Sequence, residues 1–307
     1  MSVDPHSRRV HVRAPGKLNL YFEVGAAGDD GYHDVASVYQ AVSLFEDVWA
    51  AHADEFSISV SGDVDVSGVP LDERNLAMRA ARLVADEAGW TGGIRLEIHK
   101  GVPVAGGMGG GSADAAAALV AVDELIRANL GATRLHELAA GLGADVPFAL
   151  HGGTAVGTGR GDELAPALTR GRFDWVIVGS GDGLSTPAVY GELDRLRAQA
   201  DISPVRAVPA VEPAVLRALR SGDPDELGAA IRNDLQLAAQ TLRPGLADLL
   251  DLGRREGALG GLVSGSGPTV AFLTAGAAHG RELAGRLLAA GHDARSVSGP
   301  VAGAHLV

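Results

Sequence analysis

Hydrophobic and polar positions alternate through much of the first hundred residues, the period of half-buried strands. Val10, Val12 and Ala14 alternate up to a turn at Pro15-Gly16, and residues 18–24 form a second extended run. Residues 35–45 are apolar and rich in β-branched side chains, residues 47–51 are a short run of similar texture, and Phe56, Ile58 and Val60 alternate with serines. The period then changes: Leu76, Ala80, Leu83, Val84 and Glu87 recur at helical spacing within residues 75–88. Ile94, Leu96 and Ile98 return to strand alternation, and residues 112–128 predict a helix of small residues suited to close packing. Residues 133–142 predict another helix with Thr133 as its N-cap, broken by Gly143-Ala144-Asp145-Val146-Pro147.

The second half has a different rhythm. Residues 173–178 predict a strand, and residues 187–198, 213–220, 224–240 and 244–256 predict helices, each starting at a proline. Residues 262–264 and 269–273 predict strands on either side of Gly265-Ser266-Gly267-Pro268, followed by a helix over 277–290 and a strand over 294–298. Residues 201–211 read as a loop. The expected class is α+β, with helices on one side of a small sheet in the second half and a boundary near residues 159–170.

Composition narrows the setting. A chain of 307 residues with 46% hydrophobic and 21% charged residues has the make-up of a globular enzyme. Aromatics are only 4%, so the core must be built from alanine, valine and leucine. A net charge of −12 argues against a general nucleic-acid or anionic-membrane binder. It leaves room for an anionic small molecule, because a local cleft can oppose the global sign. With no cysteine there are no disulfides, thiolate metal sites or thiol catalysis, which fits a cytoplasmic protein. The first residues lack the apolar core of a signal peptide, and no apolar run has the length of a membrane span. No protein partner is evident.

One segment carries chemistry directly. The run Pro103, Val104, Ala105, Gly106, Gly107, Met108, Gly109, Gly110, Gly111, Ser112 and Ala113 lies between a predicted strand and a predicted helix. Glycine lets the backbone approach a bulky anion, and a helix start offers unpaired N–H groups and a partial positive charge. Phosphate fits that end. The cluster has no lysine after its last glycine, so it is not a Walker A loop, and neither glycine frame satisfies G-x-G-x-x-G.

With a phosphate loop in hand, phosphoryl transfer needs a base, a cation and usually Mg²⁺. Asp145, in the break after a predicted helix, is a candidate base; the bland alternative is a turn aspartate before proline. Lys17 and Asn19 share one face of an otherwise apolar strand, a pattern that lines a cleft. Asp30-Gly31-Tyr32-His33 is a turn whose aromatic and imidazole groups suit a nucleobase, or else a plain surface hairpin. Gly265-Ser266-Gly267 reads as a tight turn or as an amide nest within reach of phosphate. His11, His99 and His151 have no metal-ligand spacing.

Together these segments resemble the GHMP kinase superfamily, the small-molecule kinases named for galactose, homoserine, mevalonate and phosphomevalonate. The resemblance rests on APGKLNL at residues 14–20, the glycine run continuing into Asp114-Ala115-Ala116, and SGSGPTV at residues 264–270. DGYH, GADVPF and TGRGD narrow it to a branch that phosphorylates, with ATP, the 2-hydroxyl of 4-diphosphocytidyl-2-C-methyl-D-erythritol in the non-mevalonate route to isoprenoid precursors. The resemblance implies a ribosomal-S5-like N-terminal ATP-binding domain over residues 1–162 and a ferredoxin-like C-terminal domain over residues 163–307, with the site between them. It implies Asp145 and Lys17 as catalytic pair, the glycine run with Lys100 and Asn75 at ATP, and Asn19, Tyr32, His33 and Thr186 at the cytidylyl substrate. It implies ATP and Mg²⁺ as cofactors. No metal ligand is assigned by it, and Ser112 is the best candidate.

Departures from the branch's pattern are mild. Val104 and Ala105 stand where methionine and glycine are common, Ala113 where a second serine is common, and Gln236 where glutamate is frequent. The alternatives are a sister kinase for homoserine, mevalonate or a sugar, and a non-catalytic nucleotide sensor on the same scaffold. Tyr32 and His33 argue against the first, and the presence of both Lys17 and Asp145 argues against the second. A dinucleotide-dependent oxidoreductase fails on glycine spacing.

Overall fold

A computed structural model of the chain describes residues 8–28, 31–179, 183–204, 206 and 208–307. Strands β1 (Arg9–Ala27) and β2 (His33–Ala53) form a long antiparallel pair. β3 (Ser57–Gly62), α1 (Leu76–Glu87) and β4 (Gly93–Lys100) follow, with β3 parallel to β4. Then come α2 (Gly110–Ile126), α3 (Gly131–Leu142), α4 (Val146–His151), β5 (Thr154–Thr158) and β6 (Glu163–Pro166). The remainder runs β7 (Phe173–Val178), α5 (Thr186–Ala200), α6 (Pro213–Ser221), α7 (Pro224–Ala230), β8 (Arg232–Asn233), α8 (Gln236–Leu242) and α9 (Gly245–Arg255). β9 (Gly260–Val263), β10 (Val270–Thr274), α10 (Ala277–Ala289), β11 (Ala294–Gly299) and β12 (His305–Leu306) complete it.

Among the described residues two sheets form, the α+β architecture expected. One is eight-stranded, ordered β12-β1-β2-β4-β3 with β5, β6 and β8 joined to it; the other is four-stranded, ordered β11-β7-β10-β9. The first sheet therefore recruits β6, β8 and β12 from beyond residue 162. No helix among the described residues is long and apolar enough to cross a membrane.

Three apolar clusters hold these layers. Val48, Ile94 and Leu96 of the first sheet pack on α1 and α2, whose alanines let the helices sit close. Val176, Val263 and Phe272 of the second sheet pack on α5, α8, α9 and α10. The other face of that sheet, with Trp175 and Leu273, meets Leu18 and Leu20 of β1, Val42 of β2, and Met108. The strand bearing Lys17 is thus a member of the first sheet that packs directly on the second.

Several local expectations are corrected. Pro15-Gly16 is not a turn between strands; β1 runs through it with a shift of register against β2. Residues 35–45 and 47–51 are one strand, β2. The predicted helix over 224–240 is α7 and α8 separated by β8, which pairs in parallel with β1. Thr133 caps nothing: α3 begins at Gly131 after Leu130. The loop reading of residues 201–211 holds for those described, with Val205 and Ala207 outside the description.

Candidate active site

The glycine run forms the end of β4's connection to α2. Gly109, in the left-handed region at φ 72°, is the N-cap of α2, so the helix begins at Gly110 and Ser112 lies in its first turn. Gly107 is also left-handed at φ 78°, and a Cβ there would lie 2.4 Å from the Ser264 carbonyl oxygen. The loop between β9 and β10 therefore presses directly on the glycine run, and Thr269 N–H donates to the Gly106 carbonyl at 3.3 Å. Lys17 N–H donates to the Met108 carbonyl at 2.9 Å, which fixes the run to β1 as well.

A cavity of about 350 Å³ opens along this run. Pro103, Val104, Ala105, Gly106, Gly107, Gly109, Gly110, Gly111 and Ser112 line it, together with Asn75 and Lys100. Met108 and Ala113 do not: both side chains are buried in apolar clusters. Asn75 caps α1, its side-chain oxygen accepting the Ala77 N–H at 2.9 Å. The Lys100 ammonium is spoken for, 2.7 Å from Glu46 Oε1 and 2.5 Å from Asp114 Oδ2. All three groups are buried. Burial pushes Glu46 well above the usual carboxylate range, and the neighbouring Asp114 charge adds to it. Burial also raises Asp114 against the pull of Lys100. For Lys100 burial opposes the charge, but the two carboxylates outweigh it and hold the pKa above the ordinary lysine value. Asp114 Oδ1 is a buried oxygen with no hydrogen-bond partner, on a residue that lines the same cavity.

A second cavity, of about 310 Å³, shares Gly107, Gly109 and Ser112 with the first. Lys17 and Asp145 meet in it. The Lys17 ammonium is 3.5 Å from Asp145 Oδ2 and donates to Asn19 Oδ1 at 2.7 Å. Asn19 Nδ2 donates to Ser37 Oγ at 2.8 Å, and Ser37 Oγ to the Tyr21 carbonyl at 3.0 Å, so the amide is oriented from behind. Lys17 is buried, whereas the Asp145 side chain is 30% exposed, so the carboxylate faces the cleft and the ammonium backs it. Asp145 precedes α4 but its side chain makes no capping bond there. The Tyr39 ring lies 5.4 Å from the Lys17 ammonium. Burial first, and the Asp145 charge second, push the phenols of Tyr39 and Tyr190 up, so both stay protonated donors.

The second half completes this cavity. Thr186, the first residue of α5, has its hydroxyl 2.9 Å from Ser266 Oγ. Tyr190, four residues on and so on the same helical face, lines the cavity and packs against the His33 ring at a centroid distance of 5.1 Å. His33 is buried, with Nε2 2.9 Å from Asp194 Oδ1. Tyr32 is 60% exposed, with the Arg160 guanidinium 4.1 Å over its ring. Asp30 lies outside the described residues. The segment at residues 233–236 gains a clear part: Asn233 Nδ2 donates to the carbonyls of Val263 and Gly265 at 2.7 Å each, holding the β9–β10 loop against β1. Gly265 touches the same pair, since a Cβ on it would lie 3.1 Å from Asn19 Oδ1.

The sequence reading missed Tyr39 and Tyr190 in this cavity and gave no role to the Arg160 side chain within TGRGD, whereas Gly265-Ser266-Gly267, offered as a turn or an amide nest, does border it through Gly265 and Ser266. Tyr190 could have been found from its spacing to Thr186 in a chain so poor in aromatics. Among the described residues no group of three or more His, Asp or Glu side chains is placed to hold a metal ion.

A glycine run opening a helix beside a lysine–aspartate pair is an arrangement suited to a small-molecule kinase. The profile of the GHMP kinases N terminal domain matches residues 75–153, and that of the GHMP kinases C terminal region matches residues 215–293. The chain belongs to the GHMP kinases. Its place within them is the 4-diphosphocytidyl-2-C-methyl-D-erythritol kinase family. The protein of that name from Clavibacter michiganensis subsp. michiganensis is 54% identical, with 97% of this chain and 96% of that protein covered. The one from Mycolicibacterium smegmatis is 52% identical, with 97% and 92% covered. A crystal structure of 4-(cytidine 5'-diphospho)-2C-methyl-D-erythritol kinase superposes with a TM-score of 0.76 at 32% identity, covering 94% of this chain and 98% of that one. A homoserine kinase from Cytophaga hutchinsonii, at 18% identity and TM-score 0.69, shares the fold.

Proposed function

We propose that the protein transfers the γ-phosphoryl group of ATP to the 2-hydroxyl of 4-diphosphocytidyl-2-C-methyl-D-erythritol. The observation that carries this reading is the junction of the two cavities. Gly107, Gly109 and Ser112 line both, and Lys17 and Asp145 stand 3.5 Å apart beside them.

ATP enters the first cavity with its phosphates along the glycine backbone, where the N–H groups opening α2 and the helix dipole favour negative charge. Asn75 and Lys100 line the same cavity. The cytidylyl alcohol occupies the second, its base near Tyr32, His33 and Tyr190 and its polyol near Asn19 and Thr186. Residues 1–162 then supply the ATP-binding half, and residues 163–307 lend Thr186, Tyr190 and Ser266 to the acceptor side.

Asp145 accepts the proton of the 2-hydroxyl as that oxygen bonds to the γ-phosphorus. The bond from the γ-phosphorus to its bridging oxygen breaks, and ADP leaves with the electron pair. Lys17, 3.5 Å from Asp145, holds the carboxylate in place and steadies the transferring phosphoryl oxygens. Ser112 and Asp114, whose Oδ1 has no hydrogen-bond partner, bring oxygen donors to the nucleotide cavity, and these are the residues that would hold Mg²⁺ there. When bound, the ion neutralises charge on the phosphate chain. All these reactants are small and water-soluble, which fits work in the cytoplasm.

Purified protein with ATP and Mg²⁺ is expected to release ADP with 4-diphosphocytidyl-2-C-methyl-D-erythritol and not with mevalonate, homoserine or galactose. Turnover with one of those three and none with the cytidylyl alcohol would move the protein to another branch of the superfamily.

A further inference from the structure

Resting on the cytidylyl substrate proposed above, we infer that Arg160 is the anion site for the diphosphate that joins the nucleoside to the alcohol. The mechanism leaves this residue unused. Charge is the first argument: the cationic side chains lining the acceptor cavity, among the described residues, are those of Lys17 and Arg160. Lys17 already faces Asp145 and Asn19. A nucleoside diphosphate ester is an anion entering a protein of net charge −12, and it needs local positive charge along its path.

Position is the second argument. The Arg160 guanidinium lies 4.1 Å over the Tyr32 ring, and the same residue lines the cavity that holds Asp145. A base seated at Tyr32 and a hydroxyl seated at Asp145 leave the connecting phosphates to pass Arg160. The turn that presents it is built for that residue to protrude. Gly159 and Gly161 on either side are left-handed at φ 64° and 96°, and Gly161 N–H donates to the Thr158 carbonyl at 2.9 Å. A Cβ on Gly161 would lie 2.4 Å from the Tyr39 hydroxyl, so the turn is packed against the tyrosine that sits beside Lys17.

Side-chain chemistry is the third. A planar guanidinium stacks by its face and donates by its edge, so contact with Tyr32 is compatible with paired hydrogen bonds to phosphate oxygens. A lysine at this place would supply charge without the stack or the fork.

The test is calorimetric, with saturating ADP and Mg²⁺ filling the glycine-run cavity, and cytidine, CMP and CDP as probes. The folded protein should bind CDP more tightly than cytidine. In Arg160→Gln that preference should fall by about 10- to 100-fold, the size of one lost charge-assisted pair, with cytidine affinity within about 2-fold of the parent. Arg160→Lys should keep part of the preference. An unchanged CDP-over-cytidine ratio in Arg160→Gln overturns the assignment. So does an equal loss for all three probes, which would assign Arg160 to base stacking alone. If the parent binds ADP but none of the three probes, the cytidylyl reading itself fails, and this assignment goes with it.

Discussion

Asp145 stands at a helix entrance where an aspartate would ordinarily bond to backbone N–H groups, yet its carboxylate caps nothing and looks across a gap at Lys17. A separation of 3.5 Å is longer than a good hydrogen bond, so the carboxylate keeps a lone pair for another donor. Asp145→Asn preserves shape and removes basicity. It is expected to lower kcat by about 10²–10⁴-fold while ADP binding, read by calorimetry, stays near that of the parent. A rate within a few-fold of the parent would show that the proton leaves by another route. Lys17, Asn19 and Asp145 could be picked from the sequence because each sits in a short motif whose polarity breaks its surroundings. Lys100 was legible as a cavity residue but not as half-owned by carboxylates, since Glu46 comes from a neighbouring strand and Asp114 from the helix. Arg160 was legible only as part of the TGRGD motif, and Tyr190 only by its spacing to Thr186; what each side chain does depends on which loops the fold brings beside Tyr32 and His33.

The glycine run shows how an element can be specified by what lies behind it. The front of the run explains its glycines only as room for phosphate, whereas the back explains Gly107 by the Ser264 carbonyl. Gly107→Ala should therefore cost stability in the absence of any nucleotide, by about 1–3 kcal/mol from left-handed strain and the backbone clash. Urea unfolding of the apo protein measures this, and the rise in Tm on adding ADP should shrink in parallel. A parent-like urea midpoint would mean that the β9–β10 loop yields without cost. Helix and strand types were readable where periodicity ran uninterrupted, as in α1, β4 and α10. They were misread where tertiary pairing overrode local preference. Nothing in residues 224–240 signals that Arg232 and Asn233 leave the helix to pair with β1, and Pro15-Gly16 reads as a turn because a strand that shifts register looks the same in one dimension.

At the scale of the molecule the last strand lies beside the first. After β11 the backbone returns to the first sheet, where β12 pairs antiparallel with β1; on the way Gly153 N–H donates to the Val301 carbonyl at 2.7 Å, and Ala304 N–H to the Ala149 carbonyl of α4 at 2.9 Å. Val301 packs on the cluster of Tyr39 and Phe148, between the ring beside Lys17 and the short helix that follows Asp145. A chain ending at Gly299 should lose a few kcal/mol, at about 1 kcal/mol for each backbone hydrogen bond given up. It should also lose kcat by more than its affinity for ADP, because the nucleotide cavity is built elsewhere. Equal kcat in the shortened chain, measured well below its Tm, would separate the tail from the site. No periodicity in the sequence announces this return, since the last residues carry too short a pattern to declare a partner.

Gly107, Gly109 and Ser112 line both the cavity proposed for ATP and the cavity proposed for the acceptor, so the two spaces meet at this stretch of glycine backbone. A single molecule with adenosine at one end, cytidine at the other and a polyphosphate of suitable length between them could occupy both at once. Its second end would then bind at an effective concentration on the order of millimolar. Such a tethered inhibitor would favour this branch over kinases whose acceptor has no base to grip.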